Sequence, residues 1–142
     1  MKICKILRFE ASHVLPKHPG KCSRLHGHSY ILEVEVEGAV NPDTGMVLDF
    51  ATLSDLLQDH VFSVLDHRHI NEVFIGLGWP GETTAENIVR FVWSQLEMGV
   101  RRNGASLLRV RLWETATSFA EKSFDDEVFV NEEPTQEGGD QP

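Results

Sequence analysis

The chain has 142 residues, of which 22 are acidic and 13 basic, and its formal charge is −9. With 41% apolar residues, this is the composition of one soluble globular domain. Nucleic acid is a poor partner, because a phosphate backbone is bound by clustered Lys and Arg. No run approaches the roughly 18 apolar residues of a membrane span, and no secretory signal opens the chain.

The acidity is concentrated at the C-terminal end. Seven acidic residues and no basic one lie in 125–142, which leaves 15 acidic against 13 basic side chains in 1–124. We expect a single domain over 1–130 and a disordered acidic tail over 131–142. Two cysteines, Cys4 and Cys22, form at most one disulfide, so a reducing cytoplasm is expected.

Hydrophobic periodicity predicts strands at both ends of the domain. Residues 3–13 alternate, with His13 on the inward parity, and a loop over 16–25 follows. A second strand places Leu32, Val34 and Val36 on one face and three glutamates on the other. Near the other end, Leu108, Val110 and Leu112 alternate with Arg109, Arg111 and Trp113, and a fourth strand is predicted over 118–130.

Two helices are predicted between these strand pairs. The first begins behind Asp49 as N-cap and ends near the segment LDHRHIN. The second begins at Thr83, whose spacing to Glu86 is that of a capping box, and ends at Arg102 before Asn103 and Gly104. The order of two strands, two helices and two strands indicates an α+β fold.

Three histidines are predicted to meet on the buried face of the first two strands. His26 and His28 are two residues apart, so their side chains point the same way, and strand pairing brings His13 beside them. Three neutral imidazoles suit Zn²⁺, with a fourth position left for water or substrate. The alternative is that each is a core histidine hydrogen-bonded to backbone.

Glu114 continues the inward parity of Leu112. A buried carboxylate needs a partner, which is either a ligand with two adjacent N–H donors, such as an aminopyrimidinone edge, or an internal Arg. Asp66 and His67 are a second pair of interest. They act either as a carboxylate-oriented imidazole in proton transfer or as a cap at a helix end.

The loop before His26 contains a cysteine among cations. Lys21, Arg24 and a nearby metal would favour the Cys22 thiolate, a candidate base or nucleophile, whereas the alternative is an inert thiol. Lys17, His18, Lys21 and Arg24 lie within eight residues. This cluster either holds an anionic group such as phosphate or is a solvated loop.

These residues in this order resemble the 6-pyruvoyltetrahydropterin synthase and 6-carboxytetrahydropterin synthase family. The matching segments are FEASHVLP, KCSRLHGHSY, TGMVLDFATL, LDHRHIN, TTAENI and WET, so the resemblance covers residues 3–115. It implies the tunnelling fold, in which an antiparallel four-stranded sheet carries two helices on one face. It also implies an oligomeric barrel, commonly a hexamer built from two trimers with sites at subunit interfaces.

The resemblance also implies roles for the candidate residues. His13, His26 and His28 would hold zinc, Cys22 would be the catalytic base, Asp66 and His67 would complete the proton-transfer set, and Glu114 would bind the pterin ring. The short spacing from Cys22 to His26 resembles the bacterial 6-carboxy branch.

The implied reaction is that of a carbon–oxygen lyase in the biosynthesis of 7-deazapurines such as queuosine. It converts 7,8-dihydroneopterin triphosphate to 6-carboxy-5,6,7,8-tetrahydropterin, acetaldehyde and triphosphate. His18, Lys21 and Arg24 would contact the triphosphate. Three alternatives stay open: the pyruvoyl synthase reaction, a zinc hydrolase that needs no Cys22, and a non-catalytic zinc or pterin-binding module.

Overall fold

The computed structural model describes residues 1–126, and its centre is a five-stranded sheet in the order β3-β1-β2-β4-β5. Neighbouring strands run antiparallel except β3, which pairs with β1 in parallel. The α+β class and the four long predicted strands are confirmed. The strands are β1 (Lys2–His13), β2 (His26–Glu37), β3 (Arg68–His69), β4 (Ser106–Thr115) and β5 (Ser118–Ser123).

The helices cover one face of this sheet. They are α1 (Phe50–Leu57), which continues through a π-helical turn (Gln58–Phe62) into α2 (Ser63–Leu65), then α3 (Ile70–Leu77) and α4 (Ala85–Arg102). Asp49 caps α1 as predicted, since its carboxylate accepts the Ala51 N–H at 2.7 Å. Among residues 1–126, no helix combines the length and the apolar character that crossing a membrane requires.

The hydrophobic core lies between the helices and the inner face of the sheet. Alternate residues of β2 and β4, including Val34 and Leu112, pack against the apolar stripe of α4, including Val92 and Leu96, and all four are fully buried. Burying each such side chain contributes about 1.5 to 3 kcal/mol. This packing fixes which face of the sheet points toward the helices. It therefore also fixes the orientation of every inward side chain further along the same strands.

Two sequence predictions about positions are wrong by one residue. The N-cap of α4 is Thr84, whose hydroxyl accepts the Asn87 N–H at 3.3 Å, while Thr83 is buried and makes other contacts. In β4, a bulge opposite Glu35 and Val36 leaves Leu108 without a paired residue on β2. Leu107 therefore points into the core in its place.

The predicted C-terminal strand is shorter than expected. β5 ends at Ser123, where the Asp126 carboxylate accepts the Ser123 N–H at 2.9 Å and closes a turn. Residues 127–130, assigned to this strand from the sequence, and the predicted acidic tail over 131–142 lie outside the described residues.

The segment after α2 contains two elements that periodicity did not reveal, β3 and α3. α2 ends at Leu65, as predicted, and His67 then adopts a left-handed backbone with φ of 54° that turns the chain back along β1. Ile70 and Phe74 of α3 enter the core. An eight-residue helix has only about two turns, which is too few for its hydrophobic periodicity to be recognised in the sequence.

Candidate metal centre and active site

The antiparallel register of β1 and β2 brings three imidazoles together on the inner face of the sheet. His13 lies directly opposite His26, and Ala11 lies opposite His28. The Nε2 atom of His13 is 2.9 Å from that of His26 and 3.2 Å from that of His28. One ligand atom from each of the three lies within 4.8 Å of the others, as the sequence predicted.

Gly27, between the two β2 histidines, permits this close approach. A Cβ atom at this position would lie 3.2 Å from the carbonyl oxygen of Ala11, closer than strand packing normally allows. A side chain here would therefore push β2 away from β1 at the point where the imidazoles meet.

The hydrogen bonds of two histidines leave their clustered nitrogens free to bind a metal. The Nδ1–H of His13 donates to the Thr83 carbonyl and that of His26 donates to the Arg24 carbonyl, both at 2.7 Å. Because a carbonyl only accepts, each Nδ1 carries the proton and each Nε2 presents a lone pair. Two lone pairs facing each other at 2.9 Å repel unless a cation lies between them.

The electrostatics and spacing of the cluster also fit a metal. Burial lowers the pKa of His13 and of His28, which keeps both rings neutral, the form that binds metals. Ligands about 2.1 Å from a tetrahedral Zn²⁺ lie about 3.4 Å apart, near the 2.9 and 3.2 Å that separate the Nε2 of His13 from those of His26 and His28. The residues present therefore fit the predicted zinc site.

Glu114 lies beside this cluster, at the end of β4. Its Oε1 is 3.7 Å from the Nε2 of His28, and within residues 1–126 no Arg or Lys forms an ion pair with it. The internal Arg that the sequence left open as its partner is thus not found there. This half-buried carboxylate keeps its capacity to accept hydrogen bonds from a ligand.

Tyr30 adds a hydroxyl to the same region, and sequence reasoning overlooked it. It follows His28 on the inner face, stacks on Phe9 and is 1% exposed. Its hydroxyl has no hydrogen-bond partner in the described part of the chain. Burial, followed by the charge of Glu114, raises the pKa of Tyr30, so it stays protonated.

Asp66 and His67 form the predicted pair, and they are bound to β1 on the side away from β2, just before β3. The Nδ1–H of His67 donates to Asp66 at 2.7 Å. The other carboxylate oxygen accepts the Glu10 N–H at 3.0 Å, and the Glu10 carbonyl accepts the His67 N–H at 2.6 Å. These contacts, led by the Glu10 N–H, lower the pKa of Asp66 and keep it ionised beside His67.

The pair makes no direct contact with the metal cluster in the described part of the chain. The His67 side chain is 77% exposed and lines a cavity of about 420 Å³ with outward residues such as Glu10, Ser12 and Ser29. His28 of the cluster lines the same cavity. Within residues 1–126, however, no hydrogen bond or ion pair joins His67 to an imidazole of the cluster.

The basic loop contacts the metal cluster through a backbone carbonyl, that of Arg24. Cys22 lies in a single 3-10 turn (Lys21–Ser23), is half-buried and is not disulfide-bonded. His18, Lys21 and Arg24 are exposed, and the Nδ1 of His18 accepts the Gly20 N–H at 2.9 Å. The carbonyl of Arg24, rather than its side chain, contacts His26.

Comparison with known proteins places this chain in a family. The family model for 6-pyruvoyl tetrahydropterin synthase matches residues 2–123. The 6-carboxy-5,6,7,8-tetrahydropterin synthase of Haemophilus influenzae is 35% identical over 139 residues, covering 84% of this chain and 96% of that protein. The synthase of the same name from Synechocystis is 41% identical over 123 residues, covering 83% and 89%.

A solved structure agrees with the sequence comparisons. The Caenorhabditis elegans 6-pyruvoyl tetrahydropterin synthase superposes with a TM-score of 0.76 at 25% identity, covering 87% of this chain and 94% of that one. The β1–β2 pair that carries the three imidazoles and the strand β4 that carries Glu114 thus belong to a shared fold. The chain belongs to the 6-pyruvoyl tetrahydropterin synthase family.

Proposed function

We propose that this protein is a zinc-dependent lyase that converts 7,8-dihydroneopterin triphosphate to 6-carboxy-5,6,7,8-tetrahydropterin, releasing acetaldehyde and triphosphate. The observation that carries the proposal is the convergence of three Nε2 atoms beside the Glu114 carboxylate, which within residues 1–126 forms no ion pair with an Arg or Lys. The carboxy product is favoured because the Haemophilus and Synechocystis relatives carry that name over more than four fifths of this chain.

The inner-face residues bind the substrate in this proposal. Glu114 accepts two N–H groups from the pterin ring, which sets the ring's orientation next to His28. The three imidazoles hold the metal, and the chemistry a bound zinc ion supplies is Lewis acidity toward side-chain oxygens. His18, Lys21 and Arg24 attract the triphosphate.

Cys22 and the Asp66–His67 pair move protons. Cys22 serves as the base in this proposal, which its position four residues before His26 supports. Asp66 orients His67 through the 2.7 Å hydrogen bond at Nδ1, which leaves Nε2 to exchange a proton with the substrate.

Because no hydrogen bond or ion pair within residues 1–126 joins His67 to the imidazole cluster, we place them in one site through a second copy of the chain. The partner's edge would present Asp66 and His67 to the metal and Glu114 of the first chain. This arrangement suits a barrel of several subunits, with the hexamer built from two trimers as the expected form. We further place the reaction in the cytoplasm, on a route to 7-deazapurines such as queuosine.

The test is mass spectrometry of the products formed by metal-replete protein from dihydroneopterin triphosphate. The proposal predicts 6-carboxytetrahydropterin together with acetaldehyde. A pyruvoyl product without acetaldehyde would assign the other reaction of the family, for which the Caenorhabditis similarity is the specific support. Full activity of a Cys22→Ala variant would favour a zinc hydrolase, and no turnover at all would favour a binding module.

A further inference from the structure

Thr83 contacts a metal-site histidine through its backbone, although its sequence position is typical of a helix cap. Its carbonyl accepts the Nδ1–H of His13 at 2.7 Å, and this bond decides which His13 nitrogen is free for a metal. The residue is 1% exposed. The neighbouring Thr84 caps α4 instead, so the Thr83 hydroxyl is left for another partner.

That partner is Asn71, in the first turn of α3. The Thr83 hydroxyl donates to the Asn71 Oδ1 at 3.2 Å, and its oxygen lies farther, at 3.4 Å, from the Val14 carbonyl oxygen and from the Nδ1 of His13. The same Oδ1 accepts the Val14 N–H at 2.9 Å, and the Asn71 Nδ2–H donates to the Val14 carbonyl at 2.8 Å. One amide therefore binds both backbone groups of the residue that follows His13, as a neighbouring strand would.

These hydrogen bonds form a connected network around His13, one of the three candidate metal ligands. Asn71 holds the backbone immediately after His13, and it also holds the side chain of Thr83, whose carbonyl holds the ring of His13. Among residues 1–126, the Nδ1 of His26 contacts only the carbonyl of exposed Arg24. Of these two rings, His13 is thus the one whose position is determined by side chains outside the β1–β2 pair.

We propose that Asn71 and Thr83 are positioning residues that hold His13 in the orientation and tautomer required of a metal ligand. The proposal rests on the metal site proposed above and goes beyond it, because neither residue touches the metal. Outer partners of this kind typically change metal affinity about 10- to 100-fold.

The test measures Zn²⁺ affinity of the full-length protein by competition with a chromophoric chelator. Thr83→Val removes the hydroxyl at nearly constant volume, and we expect Zn²⁺ to bind about 10-fold more weakly. Thr83→Ser keeps the hydroxyl and should restore the parental affinity. Asn71→Ala tests the pair from its other member, should Thr83→Val fail to fold, and should also weaken binding.

Thr84→Ala is the matched control. It removes the cap of the same helix, and so lowers the melting temperature, without touching His13. Its Zn²⁺ affinity should equal that of the parent. Nitrogen-15 NMR of the metal-free protein gives a second readout, because the Nδ1–H signal of His13 should change in Thr83→Val and stay in Thr84→Ala.

The outcomes separate this proposal from the one it rests on. A parent protein that binds no Zn²⁺ would overturn the metal site itself and the pair with it. A parent that binds Zn²⁺, with folded Thr83→Val and Asn71→Ala variants that bind it equally well, would overturn the positioning role alone. Weaker binding in both variants and full affinity in Thr83→Ser and Thr84→Ala would support it.

Discussion

His13 and His26 face each other across the first two strands with their Nε2 atoms 2.9 Å apart and their Nδ1–H groups turned outward onto backbone carbonyls. Strand pairing alone sets the two Cα atoms opposite each other, whereas the carbonyls of Thr83 and Arg24 set the rings. The metal-binding geometry is thus built from one long-range and one local contact.

Removing one imidazole should empty the metal site. We expect His26→Ala to lose bound zinc, because two remaining nitrogens are too few for a tetrahedral site. Elemental analysis of purified parent and variant measures this directly. His18→Ala, which removes an exposed histidine of the adjacent loop, is the control and should keep its metal. Equal zinc in parent and His26→Ala would end the hypothesis.

Glu114 should determine pterin affinity. Glu114→Gln keeps the size of the side chain but removes the charge and one acceptor, and the loss of a charge-assisted hydrogen bond costs about 1.5 to 3 kcal/mol. We expect pterin to bind about 10- to 100-fold more weakly in a titration with the metal-loaded protein. Unchanged affinity, with the zinc content of the parent, would reject the anchoring role.

The Tyr30 hydroxyl should be dispensable for folding. Because it is buried and has no hydrogen-bond partner among residues 1–126, Tyr30→Phe should leave the free energy of unfolding unchanged or raise it by up to about 1 kcal/mol. Tyr30→Leu, which also removes the ring that stacks on Phe9, should destabilise the protein. Urea unfolding of both variants tests this, and a clear loss in Tyr30→Phe would mean that the hydroxyl is already bonded.

Two inactive variants should complement each other if the site is shared between subunits. His26→Ala lacks the metal and His67→Ala lacks the proton-transfer imidazole, but a mixed oligomer contains some interfaces with both intact. Random mixing gives about a quarter of such sites, so co-expressed variants should recover about that share of the parental turnover. Recovery of no activity, in oligomers shown by mass spectrometry to be mixed, would assign both groups to one chain.

The Glu35–Arg109 ion pair on the outer face of the sheet should make the free energy of unfolding decrease at acid pH. Glu35 is 7% exposed and accepts a hydrogen bond from Arg109 at 2.6 Å, and this bond lowers the pKa of Glu35. A lowered pKa contributes stability above the unfolded-state value of about 4.3, and the contribution is lost as pH falls through the folded-state pKa.

Glu35→Gln isolates this contribution. We expect the variant to lose about 1 to 3 kcal/mol at pH 7, and the difference from the parent should shrink as the pH falls below about 4. Urea unfolding at several pH values measures both, with Glu37→Gln, an exposed residue of the same strand, as control. A difference that stays constant with pH would contradict the assignment.

Local patterns in the sequence were sufficient for the long elements and for the metal cluster. Alternation predicted β1, β2 and β4, and the spacing of His26 and His28 with the inward parity of His13 predicted their convergence. These signals are reliable because strand pleating forces every second side chain onto one face. The pattern failed where the period was interrupted, at the bulge beside Leu108 and in the short β3 and α3.

The sequence by itself determined which residues of the long strands and helices face the core, except at the bulge beside Leu108, because amphipathic periodicity depends only on neighbours along the chain. Only the tertiary structure decided which of two adjacent threonines caps α4 and which supports His13, since threonine is a favoured N-cap residue at either position. It likewise placed Asp66 and His67 at the edge of β1, where they bond to Glu10. Such contacts join residues far apart in sequence, and they exist only once the sheet and helices have packed.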